Sequence, residues 1–255
     1  MIVIKYGGHA LPKDGSIDPS LAVIANEFKH GTKIVLIHGG GPQINQELQL
    51  HGVQPEMVNG LRKTTPEVLA VVQKVLSGEV LRNIVNQLIG LGVNAIGISS
   101  GDGNLIRAEQ QKGDLGLVGE VSQVNPKILN ELLAAGYLPV ISPIGVDSSG
   151  RALNMNADII AGEIGGSLNA EKVLFMTDVP GIYKDWPNED SLIEEISFKD
   201  LSEIAQEFQE GMAPKVQSLL TAVDKGAATA FVFDGRRAEN LAKAIHGAMG
   251  TKVTK

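Results

Sequence analysis

Short runs rich in Val and Ile alternate with longer amphipathic stretches along the chain, and this alternation limits the fold more than any other feature. Ile2-Val3-Ile4, Lys33 to Ile37, Val93 to Ser99, Leu138 to Ile144, Lys172 to Met176 and Thr229 to Phe233 read as strands, the last being the final clear one. Between them, helices are expected from Asp18-Pro19 to His30-Gly31, Pro42 to Leu50, Thr65 to Leu91, Asn125-Pro126 to Gly136, Ala157 to Ile164, Phe198 to Gln209, Lys215 to Lys225 and Ala238 to Met249. Asp18 before Pro19 supplies an N-cap followed by the one helical position where Pro costs nothing. In the long 65–91 stretch, Val68, Val71, Val72 and Val75 recur at helical spacing, and Gly78 is a candidate bend. Strands separated by helices pair in parallel through right-handed crossovers, which predicts an α/β sandwich. Residues 105–124 depart from the pattern and read as a β-hairpin. Gly165-Gly166 reads as a helix stop, and a lobe boundary is placed nearby, with lobes 1–170 and 171–255.

Composition narrows the functions. The chain has 255 residues, 43% of them hydrophobic, enough for one large core or two fused lobes. A net charge of -7 and 4% aromatic content argue against nucleic acid or an anionic membrane as the main partner. With no cysteine, neither a disulfide nor a thiolate metal site can form. The opening Met1-Ile2-Val3-Ile4-Lys5 is too short and too early charged for a signal peptide, and no apolar run approaches the ~20 residues that span a bilayer. A cytoplasmic protein is expected.

Two strands run directly into glycine-rich loops, Lys5-Tyr6-Gly7-Gly8 and His38-Gly39-Gly40-Gly41-Pro42. In a parallel sheet, ligands sit beyond the carboxyl ends of the strands. Glycines there let backbone N–H groups approach a phosphate, and a following helix N-terminus favours negative charge. The plainer alternative is that the glycines only make tight turns. Neither loop has the Walker A or the Gly-x-Gly-x-x-Gly pattern, and His-Glu-x-x-His and Gly-x-Ser-x-Gly are both absent. His38 reads as structural.

In chain order these loops are joined by Asn59-Gly60-Leu61-Arg62, Asn154-Met155-Asn156-Ala157-Asp158, Thr177-Asp178-Val179-Pro180-Gly181-Ile182-Tyr183 and Gly211-Met212-Ala213-Pro214-Lys215. Together the six pieces resemble the amino acid kinase family. The Asn-Gly-Leu-Arg and Asn-x-Asn-Ala-Asp pieces are most similar to members that phosphorylate N-acetyl-L-glutamate. The resemblance implies a three-layer α-β-α sandwich around a mainly parallel central sheet. Its N-terminal lobe would bind the amino-acid substrate and dimerise, and its C-terminal lobe would bind nucleotide. It implies ATP, with Mg²⁺ held mainly by the nucleotide phosphates, as the phosphoryl source. Lys5 and Lys215 would bracket the phosphoryl group in flight, with Asp158 holding both ammonium groups. Backbone N–H groups of Gly7, Gly8, Gly40 and Gly41 would cradle phosphate and the reacting carboxylate. Arg62 would grip the α-carboxylate and Asn154 the acetamido group, while Asp178, Gly181, Tyr183 and Met212 would surround the nucleotide. A sibling activity on N-acetyl-aminoadipate, and a non-catalytic sensor on the same fold, stay open. The resemblance also implies a homodimer built partly through the 66–91 helix. Arginine-inhibited members carry an N-terminal helix before the first strand; this chain opens on that strand, so arginine inhibition is not expected.

The chemistry is coherent without the resemblance. Phosphoryl transfer asks mainly for positioning and for positive charge around the equatorial oxygens. A carboxylate acceptor with a pKa of ~4.3 is already ionised at neutral pH and needs no general base.

Overall fold

A computed structural model describes residues 1–7, 16–58, 60–185, 187–208 and 212–255. Along the chain run β1 (Ile2–Tyr6), α1 (Pro19–Lys29), β2 (Ile34–His38), α2 (Gly41–Leu50), β3 (Met57–Val58), β4 (Leu61–Arg62) and α3 (Pro66–Gln73). A π-helical segment, Lys74–Val80, leads into α4 (Leu81–Gly90), followed by β5 (Ala95–Ser99), β6 (Ile106–Gln110), β7 (Gly119–Val124), α5 (Lys127–Ala134), β8 (Leu138–Ser142), β9 (Ile144–Val146) and β10 (Ala152–Asn154). Next come α6 (Ala157–Ser167), β11 (Lys172–Thr177), β12 (Ile182–Tyr183), β13 (Leu192–Ile193), β14 (Glu195–Ser197), α7 (Phe198–Ile204), α8 (Ala213–Asp224), β15 (Thr229–Asp234), α9 (Ala238–Ile245) and β16 (Thr251–Thr254).

Among the described residues the central sheet has eight strands in the order β14-β16-β15-β11-β1-β2-β8-β5. All neighbours pair in parallel except β15 and β16. Strands from residues 1–170 form one half and strands from 171–255 the other, and they meet where β1 pairs with β11. Side-chain alternation along each strand builds two cores. Ile4, Leu36, Val140 and Leu174 face one layer with Ile24, Leu48, Val72, Ile84 and Leu241. Val3, Ile37, Ile141 and Val173 face the other with Leu129, Ile160, Ile164 and Leu219. The three-layer α-β-α sandwich expected from the sequence is the architecture observed.

Several boundaries depart from expectation for definable reasons. The 66–90 helical run is continuous, but around Gly78 it widens to a π-helix that carries Leu76 toward Gly40. Gly165 and Gly166 do not stop α6, which continues to Ser167. They let it press on neighbours, since a Cβ on Gly166 would overlap Lys225 and one on Gly165 would overlap Val173. The helix expected over 198–209 ends at Ile204 and passes into a 3₁₀ turn, Ala205–Glu207; residue 209 lies outside the described residues. The last helix ends at Ile245, because the chain must turn into a further strand, β16, which the sequence reading omitted. The 105–124 hairpin forms as β6 and β7. No described helix is long and apolar enough to cross a membrane.

Candidate active site

The carboxyl ends of β1 and β2, the N-termini of α2 and α6, and the β3–β4 hairpin surround a cavity of about 360 Å³. Lys5, Gly40, Gly41, Arg62, Asn154 and Asp158 all line it. Lys5 alternates with the core-facing Ile4 and Tyr6, so it points to the face covered by α6. Its Nζ lies 3.0 Å from Asp158 Oδ1. Asp158 sits in the first turn of α6, where the helix dipole favours a carboxylate. Asn156 caps that helix, its Oδ1 accepting from the N–H groups of Asp158 at 2.8 Å and Ile159 at 3.3 Å.

The second glycine loop follows β2. Gly40 precedes α2 with no side-chain cap, leaving the first backbone donors of that helix beside the cavity. Glycine at residue 40 leaves room for Leu76, since a Cβ there would come to 2.5 Å from Leu76 Cδ2 and the leucine would have to move. His38 is fully buried below the loop, and burial lowers its pKa to about 4. Its Nδ1 lies 2.8 Å from the Gly39 carbonyl, consistent with the structural role expected. Gly7 is buried at the end of β1; Gly8, Asn59 and Gly211 lie outside the described residues.

Arg62 leans over the cavity from β4. Its Nη2 donates to Asn45 Oδ1 at 2.6 Å, while its buried Nη1 has no hydrogen-bond partner. Desolvation lowers its pKa, yet a guanidinium stays charged. A buried, half-satisfied fork is what a carboxylate ligand would complete. Asn154 donates through Nδ2 to Thr64 Oγ1 at 3.0 Å.

A larger cavity of about 860 Å³ is lined by Asp178, Val179, Tyr183, Phe208, Met212 and Lys215, among others. Three of the four residues expected around a nucleotide are thus brought together with Lys215. Gly181 is not among the residues lining either cavity. Its lack of a side chain is used inside the fold, where a Cβ would come within 2.5 Å of Thr251 Oγ1. Gly60, in the lining of the smaller cavity, lies near the residue that precedes Lys215 of the larger: a Cβ built on Gly60 would be 3.9 Å from Pro214 Cγ.

The sequence reading missed Asn45, Thr64, Val179 and Phe208. Thr64 had a signal, since two residues along an extended chain returns it to the side of Arg62. Asn45 had none, as its value depends on where Arg62 lands. Among the described residues no three His, Cys, Asp or Glu side chains cluster as a metal site.

Residues 1–234 match the amino acid kinase family. An acetylglutamate kinase from Acidothermus cellulolyticus is 42% identical over 92% of this chain and 83% of its own length. One from Methanothermobacter thermautotrophicus is 38% identical over 99% of this chain and 92% of its own. The crystal structure of smu.665 from Streptococcus mutans UA159 is 28% identical, covers 99% of this chain and 98% of its own, and superposes with a TM-score of 0.82. On the match over residues 1–234 and the near full-length identity to these relatives, the chain belongs to the amino acid kinase family.

Proposed function

We infer that this chain transfers the terminal phosphoryl group of ATP to the side-chain carboxylate of N-acetyl-L-glutamate, giving N-acetyl-glutamyl 5-phosphate in arginine biosynthesis. The names of its relatives support this, and one observation carries it: the Lys5–Asp158 pair, Arg62 and Asn154 line one cavity, and Gly60 of the same lining lies beside Pro214, the residue before Lys215 of the larger cavity.

In this reading residues 1–170 hold acetylglutamate and residues 171–255 hold ATP. Arg62 binds the α-carboxylate with its open Nη1, and Asn154 faces the acetamido group. That leaves the side-chain carboxylate near Lys5 and the donors of the Gly40-Gly41 loop. Lys5 and Lys215 flank the phosphoryl group as charge spreads over its oxygens. Asp158 offsets the repulsion between two ammonium groups drawn to one anion. Gly7 and Gly8 add backbone donors on the phosphate side. Asp178, Tyr183 and Met212 surround the nucleotide, and Gly181 shapes the turn between them. Mg²⁺ bound to the nucleotide phosphates would neutralise their charge; such an ion needs only one or two protein carboxylates, and Asp178 in the larger cavity fits that need. The enzyme would work in the cytoplasm as a homodimer.

A hydroxylamine trap of the acyl phosphate tests the reading. ATP-dependent hydroxamate is expected with acetylglutamate, with far less from acetyl-aminoadipate and none from glutamate or aspartate. No signal with acetylglutamate would overturn it.

A further inference from the structure

Thr64 is fully buried, yet its hydroxyl ties together two residues of the smaller cavity. Its Oγ1 donates to the Arg62 carbonyl at 2.7 Å and lies 3.0 Å from the Asn154 side-chain nitrogen. A hydroxyl has one hydrogen, and a backbone carbonyl can only accept. The single Thr64 proton is therefore committed to Arg62, and toward Asn154 the hydroxyl can only accept. Asn154 must present its NH₂ end to Thr64. Its Oδ1 is then the end left for the cavity, where it is not among the buried atoms lacking a partner. Backbone bonds hold the arrangement from both sides: Thr64 N–H donates to the Leu115 carbonyl at 2.9 Å, and Asn154 N–H to the Leu117 carbonyl at 2.9 Å.

We propose that Thr64 is a positioning residue that sets the polarity of the Asn154 amide, so that the cavity offers an acceptor and selects substrates bearing an N–H beside the carboxylate. The proposal rests on the acetylglutamate reading and deepens it. An amide N–H meets Asn154 Oδ1 favourably. An ester oxygen in the same place meets it lone pair to lone pair, and a site built to bond a donor rejects the analogue lacking one. Removing the Thr64 hydroxyl frees the amide to turn over and offer NH₂ to the ester.

The test compares acetylglutamate with its ester isostere, 2-acetoxyglutarate, in the wild type and in Thr64→Val and Thr64→Ser. The wild type should show a KM for the ester at least tenfold above that for the amide. In Thr64→Val the ratio should fall below about threefold, with the KM for ATP little changed; Thr64→Ala reads the same loss should the Val variant not fold. Thr64→Ser should restore the wild-type ratio. A Val or Ala variant that keeps the tenfold preference overturns the proposal, as does a Ser variant that behaves like Val. A wild type that phosphorylates neither compound overturns the acetylglutamate reading instead.

Discussion

Lys5 and Asp158 form an ion pair at 3.0 Å, with 16% and 19% of their side chains exposed. The two come from residues far apart in sequence, and the pair exists because β1 and the first turn of α6 end at the same edge of the sheet. Lys5→Ala or Lys215→Ala should lower kcat by a hundredfold or more, by analogy with loss of one donor to a developing oxyanion. Steady-state kinetics with saturating ATP and acetylglutamate checks it; near-normal turnover in either variant removes that lysine from the mechanism.

Arg62 is fixed by Asn45 and keeps one buried nitrogen open. An ammonium cannot reproduce a planar fork. Arg62→Lys should therefore raise the KM for acetylglutamate about tenfold while leaving the KM for ATP near its starting value. An unchanged acetylglutamate KM would exclude Arg62 from the substrate site.

His38 links stability to pH. Burial lowers its pKa from 6.5 to about 4 in the folded chain. Between those values the unfolded chain binds the proton and the folded chain does not, so stability is full above pH 6.5 and falls as pH drops toward 4. From pH 7.5 to 5 the loss should be about 2 kcal/mol from this residue. Urea unfolding at the two pH values should show it, and His38→Asn should flatten the difference.

The Tyr6 hydroxyl donates to the buried Asp18 carboxylate, whose other oxygen accepts from Ser20 N–H at 2.7 Å. Burial, with Asp18 alongside, raises the Tyr6 pKa, so the phenol stays protonated. Tyr6→Phe strips a buried charge of one donor and should cost about 1–3 kcal/mol. The melting temperature should drop by several degrees; no shift would mean Asp18 finds another donor.

Gly166→Ala should destabilise the fold, although alanine is the better helix former. The added methyl would collide with Lys225, the C-cap residue of α8, and overpacking of this kind costs about 1–3 kcal/mol. A neutral or stabilising outcome in thermal unfolding would show that α6 and α8 can part without loss.

The sequence was most readable where periodicity was strong and contacts were local. β1, β2, β11, β15 and the helices between them follow from Val/Ile runs and from helix starts such as Asp18-Pro19 and Thr65-Pro66. It was least readable where a distant partner decides the outcome. Gly165-Gly166 looks like a stop until α8 and β11 are seen pressed against it. β16 is a four-residue strand of mixed polarity, Thr251–Thr254, that forms because β15 and β14 offer it edges. The π-helical turn at Lys74–Val80 has no local signature beyond Gly78; Ser77 is drawn to Ser142 at 2.9 Å and Ser99 at 3.1 Å, 65 and 22 residues away. Within the site, Lys5, Arg62, Asn154 and Asp158 were picked out by the motifs that carry the family resemblance, and all four line one cavity. Thr64 and Asn45 were not, since neither differs from an ordinary loop or helix residue until the side chain it supports is in place.

The pairing of β1 with β11 has a consequence for biosynthesis. β1 lies in the middle of the finished sheet, and the edge that pairs with β11 stays open until residues 172–177 have emerged. Synthesis at ~5–20 residues per second leaves that edge unpaired for ~8–35 s. An apolar strand exposed on one side for so long is a template for pairing with another nascent chain. Slowed translation before residue 172 should therefore favour aggregation of this protein, and crowded polysomes more so.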